Sequence, residues 1–251
     1  MPPLPRALLD RPIAHRGFHD ARLSRPENSR AAFEAAIAKG YGIELDLQLS
    51  RDGVAMVFHD YDLRRLTGQC GPLRQTDSAE LTTIPLLYGD EPIPTLADIL
   101  ALVDGRAPLL IEIKDQDGAM GPDVGPLEDA AAAALADYDG SVALMSFNPH
   151  SVARCADLLP DIPRGLTTCA FLQSDWPILP AATRERLAAI PDLENVGASF
   201  VSHDRKGLTS PRIAEIKRAG LPILCWTIRS PEEEADARSV ADNVTFEGYD
   251  A

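Results

Sequence analysis

Two carboxylates, Glu44 and Asp46, stand one residue apart in the stretch Gly42–Leu49, where Ile43, Leu45, Leu47 and Leu49 alternate with Glu44, Asp46 and Gln48. A strand has a period of two, so the acids share one face and the aliphatics line the other. On that face the two carboxylates lie about 7 Å apart. Like charges held at this spacing suit a divalent cation, which cancels the repulsion that otherwise opposes folding. A solvated strand face would alternate in the same way, so the elements around the strip have to decide between the two.

Those elements place more chemistry nearby. Pro12-Ile13-Ala14 is a short apolar run whose end carries His15-Arg16-Gly17. Pro26-Glu27-Asn28-Ser29 precedes an alanine-rich helix over 30–39, with Asn28 or Ser29 as N-cap and Gly40 as the closing residue. Asp52-Gly53 turns the chain into an apolar run over 54–58 that ends in His59-Asp60. A strand over 108–114 sets Leu110, Glu112 and Lys114 on one face and Ile111 and Ile113 on the other. Between them, 61–94 is broken by glycines and prolines and keeps no apolar period, the mark of a functional excursion or insert.

The rest of the chain alternates. Helices are predicted over 127–138, 150–159, 181–190, 210–219 and 231–238, and strands over 141–147, 164–168, 197–202, 221–227 and 243–246. About eight strands spaced as βα units predict a (β/α)8 TIM barrel, with little chain left for an outer helix after the last strand. An open doubly wound sheet is the competing architecture, but no G-x-G-x-x-G follows the first strand. By length alone, 251 residues allow one domain or two. Repeated strand and helix favour one domain, 1–251, with a small insertion at about 61–94.

With 38 acidic against 24 basic residues, the formal net charge is −14. That field opposes nucleic acid and anionic membrane surfaces, although a local Arg/Lys pocket can still hold a small anion. Cys70, Cys155, Cys169 and Cys225 show no C-x-x-C spacing, and the first eleven residues contain no apolar run. The expectation is a cytoplasmic protein with free thiols, no secretory signal and no membrane span. Nothing in the sequence fixes an oligomeric state.

Barrel active sites sit at the C-terminal ends of strands, and His15, Arg16, Glu44, Asp46, His59, Glu112, Lys114, Phe147 and Trp226 all fall at or near such ends. Each has a bland alternative: a surface histidine, a structural ion pair of Glu112 with Lys114, a core tryptophan. Asp52-Gly53 and Asp60 read as turn chemistry, and His19, His150 and His203 as structural. Taken jointly, three carboxylates offer hard oxygen ligands for Mg²⁺, Ca²⁺ or Mn²⁺. Two histidines can take one proton and give another. Arg16 and Lys114 can hold an anion's oxygens. Anion, metal and acid–base pair together describe phosphoester cleavage.

In order along the chain, His15-Arg16-Gly17, Pro26-Glu27-Asn28-Ser29, Glu44-Leu45-Asp46-Leu47, Asp52-Gly53, His59-Asp60, Ile93-Pro94-Thr95-Leu96, Glu112-Ile113-Lys114 and Trp226-Thr227 resemble the successive motifs of the glycerophosphodiester phosphodiesterases. The resemblance implies a (β/α)8 barrel with an insertion after the second strand. It implies one divalent cation on Glu44, Asp46 and Glu112, His15 as general base and His59 as general acid. Arg16 and Lys114 would contact phosphate, Glu27 and Asn28 would brace the site, and Phe147 and Trp226 would wall the substrate pocket. The substrate would be a small glycerophosphodiester such as glycerophosphocholine or glycerophosphoethanolamine, cleaved to glycerol 3-phosphate and an alcohol. Two positions depart from the pattern. Ser29 stands where the family usually has Thr, and Thr245-Phe246-Glu247 where Thr-Asp often occurs, a departure that bears on the last wall of the pocket and head-group choice and leaves the metal and the histidines untouched. A phospholipase D-like lyase forming a cyclic phosphate, and a non-catalytic phosphodiester-binding barrel, are the alternatives.

Overall fold

The computed structural model describes all 251 residues. Its strands are β1 (Ile13–Ala14), β2 (Gly42–Leu49), β3 (Ala55–Val57), β4 (Leu109–Ile113), β5 (Val142–Ser146), β6 (Arg164–Thr168), β7 (Phe200–Asp204), β8 (Ile223–Ile228) and β9 (Asn243–Phe246). Eight of them close a parallel barrel, since β1 pairs with β2 on one side and β9 on the other. The ninth, β3, runs antiparallel to β2. β1 occupies only the first part of β2, at Gly42 and Ile43, whereas β3 takes Leu47 to Leu49. The short first strand thus leaves room above it for β3, whose end carries His59 to the rim.

The helices are α1 (Ala7–Asp10), α2 (Arg30–Lys39), α3 (Arg64–Thr67), α4 (Ser78–Leu81), α5 (Leu96–Val103), α6 (Pro126–Leu135), α7 (Pro149–Leu158), α8 (Ala181–Ala188), α9 (Pro211–Arg218) and α10 (Pro231–Ala237). Local chemistry sets their ends. The Ser29 side chain accepts from the Ala32 amide, and Gly40 (φ 73°) closes α2 in a conformation that costs glycine nothing. Thr95 and Asp98 form a reciprocal capping box on α5. None of the residues after β9 is helical, as the spacing predicts.

Strand parity divides the buried residues into two layers. Ile43, Leu45, Leu47, Ile111, Ile113, Leu144 and Val201 point outward and pack with Phe33, Ile99, Leu127 and Ile213 of the helices. Inward-facing Ile13, Leu110, Ala143, Met145, Phe200 and Leu224 meet Leu4 and Leu8 of the amino-terminal segment, which plug the lower end. Asn243 ties that plug down by donating to the Leu8 and Arg11 carbonyls at 2.8 and 2.6 Å. Residues 58–94 leave the barrel and gather Phe58, Leu63, Leu66, Leu73, Leu81 and Ile84 into a separate small cluster. No helix is long and apolar enough to cross a membrane.

His203 on β7 is buried, its Nδ1 2.7 Å from the Thr168 hydroxyl on β6. Burial pushes its pKa down to about 4, against the opposing pull of Asp204. The folded state resists protonation, so this contribution to stability is intact above the usual histidine pKa and is lost as pH falls through about 4. By linkage, the loss between about pH 7 and about pH 4.5 is about 2–3 kcal/mol. Urea unfolding of wild type and His203→Gln at these two pH values should differ by that amount.

Candidate active site

Both faces of β2 are buried, so the solvated-strand reading of Glu44 and Asp46 fails. Inward parity carries the two acids into the upper lumen, and parallel pairing sets Asp46 directly beside Glu112 of β4. Glu44, Asp46 and Glu112 are 1%, 1% and 6% exposed, and each offers an oxygen within 4.8 Å of the others. Burial first, then Asp46 and Glu112, raises the Glu44 pKa well above the usual carboxylate range. Burial opposes ionisation of Asp46 too, but Lys114, His59 and Arg16 outweigh it and hold that carboxyl well below its usual range. The Lys114 ammonium bonds to Asp46 and Glu112 at 2.8 and 2.6 Å. Asn28 Nδ2 donates to Asp46 at 2.9 Å, so Asn28 serves the site while Ser29 caps the helix. Three close carboxylates with oxygen-only donors fit a hard divalent cation, whose charge would relieve the proton affinity of Glu44.

His15 and Arg16 leave β1 in a tight turn. Arg16 (φ 54°) and Gly17 (φ 81°) are both left-handed, which lets the Arg16 amide donate to Glu44 Oε2 at 2.9 Å. A Cβ on Gly17 would come within 2.9 Å of both Ala32 and Phe33 on α2. Gly17→Ala therefore combines positive-φ strain with overpacking and is expected to cost about 2–4 kcal/mol, measurable as a lowered urea midpoint at unchanged slope.

Each imidazole has a carboxylate behind it. His15 Nδ1 lies 2.5 Å from Glu247 Oε2, and His15 Nε2 lies 4.0 Å from Glu44. Burial lowers the His15 pKa, with Glu247 pulling the other way. Burial also resists ionisation of Glu247, but His15, His19 and Arg229 win and hold it ionised. His59 Nδ1 lies 2.7 Å from Asp60 Oδ1. Asp60 in turn accepts from Arg65, which also bonds Glu27, and Glu27 accepts from Arg16 at 2.7 Å. Of the residues named from the sequence, His15, Arg16, Glu44, Asp46, His59, Glu112, Lys114, Phe147 and Trp226 line one cavity of about 230 Å³. Glu27 and Asn28 stand behind it.

Three residues escaped the sequence reading. Asp60 is a partner of His59 and not only a turn residue, Glu247 backs His15 where the sequence reading has that stretch touching neither histidine, and Arg65 joins Asp60 to Glu27. Asp60 was the most accessible of these, because it follows a candidate histidine directly. On the far wall, the Phe147 and Trp226 rings meet edge to face at 5.6 Å, and Trp176 packs 5.1 Å from Phe147. The buried hydroxyls of Thr167 and Thr245 line the cavity and have no protein partner.

The Glycerophosphoryl diester phosphodiesterase family model matches residues 15–244. "Probable glycerophosphodiester phosphodiesterase 2" of Mycobacterium tuberculosis is 40% identical over 223 residues, covering 88% of this chain and 80% of that protein. The glycerophosphodiester phosphodiesterase of Caldanaerobacter subterraneus is 28% identical over 232 residues, covering 88% and 86%. Among solved structures, an Oleispira antarctica phosphodiesterase in complex with the product sn-glycerol-3-phosphate superposes with a TM-score of 0.75 at 26% identity, covering 94% of this chain and 92% of that one. A Thermotoga maritima glycerophosphodiester phosphodiesterase shares the fold, with a TM-score of 0.70 at 21% identity over 94% of each chain. From the rim of β1 into β9, the chain belongs to the glycerophosphodiester phosphodiesterase family of hydrolases.

Proposed function

We propose that the enzyme hydrolyses small glycerophosphodiesters, such as glycerophosphocholine and glycerophosphoethanolamine, to glycerol 3-phosphate and the free alcohol. The observation that carries this reading is one cavity gathering three carboxylates and two carboxylate-backed imidazoles. A product-bound relative from Oleispira antarctica supports glycerol 3-phosphate as the product. Glu44, Asp46 and Glu112 would hold one divalent cation, Mg²⁺, Ca²⁺ or Mn²⁺. Bound there, it would supply Lewis-acid polarisation of a phosphoryl oxygen. Charge favours the match. Three carboxylates against Arg16 and Lys114 leave one net negative charge, and a dication turns that into one positive charge, opposite to a phosphodiester.

His15 acts as general base. Donating from Nδ1 to Glu247, it keeps the Nε2 lone pair toward the cavity, and its lowered pKa keeps it neutral. His59 acts as general acid, giving a proton to the leaving alcohol oxygen as the P–O bond breaks. Lys114 spends two of its three N–H donors on Asp46 and Glu112, leaving the third for a phosphate oxygen. Arg16, held with its Nε 3.4 Å from Asp46 and its Nη1 on Glu27, brings a second positive charge to the same group. Phe147 and Trp226 bound the glycerol or head-group side, and the hydroxyls of Thr167 and Thr245 can pair with substrate hydroxyls.

The whole chain works as one domain in this reading, with 61–94 as an insertion. Free Cys70, Cys155, Cys169 and Cys225 favour a cytoplasmic setting. A turnover panel of glycerophosphodiesters against Mg²⁺, Ca²⁺ and Mn²⁺ tests the proposal, with the phosphate product identified by phosphorus NMR and the released alcohol by proton NMR. A monoester and a free alcohol are expected. A terminal cyclic phosphate would favour the lyase, and binding without turnover under every metal a non-catalytic barrel.

A further inference from the structure

We propose that Arg65, carried by the segment that leaves the barrel after β3, is a positioning residue for the acid catalyst His59. The inference rests on the reading of His59 as general acid. Arg65 makes two forked contacts at once. Its Nε and Nη2 donate to Asp60 Oδ2 and Oδ1 at 2.7 and 2.8 Å, and its Nη1 and Nη2 donate to Glu27 Oε2 and Oε1 at 2.7 and 2.8 Å. The Asp60 oxygen that accepts from Nη2 is also the one that meets His59 Nδ1.

This geometry matters because a carboxylate rotates freely about its last torsion unless both oxygens are held. Asp60 is the side chain that grips the His59 ring, and the remaining contact, from Gln48 Nε2, reaches only the His59 carbonyl. Asp60 cannot fix the ring plane unless its own plane is fixed, and Arg65 fixes it through both oxygens. The second fork, on Glu27, keeps the guanidinium from turning with Asp60. Glu27 is itself tied to Arg16 at the mouth of the barrel. Leu63 and Leu66, on either side of Arg65, are buried in the small cluster of the 58–94 segment. The insert therefore anchors the clamp from outside the barrel. A lysine would retain the charge but not the fork, and could not hold both oxygens in one plane.

The test compares two esters of glycerol 3-phosphate that differ only in their leaving group. Choline leaves as an alkoxide unless it is protonated, whereas p-nitrophenol leaves readily as its anion. Arg65→Lys and Arg65→Ala, in the full chain with its metal, are expected to lose about 10–100-fold in kcat on the choline ester. On the p-nitrophenyl ester both should stay within about threefold of wild type, because no acid is needed there. Melting temperatures of the two variants check that each is folded, and Arg65→Lys serves if Arg65→Ala is not. Equal losses on both esters, or no loss on either, would overturn the role of Arg65. His59→Ala on the same pair separates the two claims. A selective loss there with an unselective one in the Arg65 variants removes the clamp alone, while an unselective loss in His59→Ala removes the acid assignment and the clamp with it.

Discussion

Alanine at either His15 or His59 is expected to lower kcat by about 10²–10⁴-fold on glycerophosphocholine, the usual contribution of a positioned acid or base. The two losses should differ in kind. Without His15 the attacking oxygen keeps its proton, so the defect is expected for every leaving group. Without His59 it should concentrate on substrates whose alcohol needs protonating. Neither side chain supports the fold heavily, as both sit at strand ends on the rim. Steady-state kinetics with a melting curve for each variant will check this, and a loss below about tenfold for either residue contradicts an acid–base role.

The second large effect concerns the acids. Glu112→Gln, or a chelator in excess, is expected to reduce turnover by about 10³-fold or more, since a bound cation contributes several kcal/mol to a phosphoryl transition state and 1.4 kcal/mol is about tenfold. A direct binding readout accompanies it. A cation at about 100 times its dissociation constant adds about 2.7 kcal/mol to unfolding, so Mg²⁺, Ca²⁺ or Mn²⁺ should raise the melting temperature of wild type and not of Glu112→Gln. The sign of the pH dependence follows from Glu44. Its folded pKa is raised by burial, Asp46 and Glu112, so in a chelator the protein loses stability as pH climbs from the ordinary carboxylate range through that raised value. Saturating metal should flatten this slope. A slope unchanged by metal would mean that the cation does not sit on Glu44.

Much of this arrangement was legible from residue order, and the reason is parity. Alternation assigns Glu44 and Asp46 to one face of β2 and Glu112 to one face of β4, and the parallel register of the two strands sets those residues side by side in the lumen. What alternation could not supply was the environment of the second face. A lone amphipathic strand is half wet, but in a barrel its polar side points into a lumen, so both sides are buried. Helix ends shifted by up to three residues, as in α6, predicted over 127–138 and found at Pro126–Leu135. Glu247 was out of reach for a different reason. It is 232 residues from His15 in sequence, and their contact exists only because β1 and β9 pair. Arg65 was hidden because its surroundings are short turns and helices with no shared period, so nothing local indicated which way its side chain would face. The hydrophobic residues of 61–94 looked scattered for the same reason, yet they assemble into their own cluster.

The plug at the lower end of the barrel bears on the acids at the other. Leu4 and Leu8 close the floor on which Leu110 and Met145 rest, and Met145 also borders the catalytic cavity. Sealing from beneath removes one route by which water could enter the lumen, and a low local dielectric is what gives buried charges their strength. Trimming Leu8 to alanine would let solvent creep upward and soften the grip that the acids would have on a dication, so that a residue remote from the acids would help set the affinity of that site.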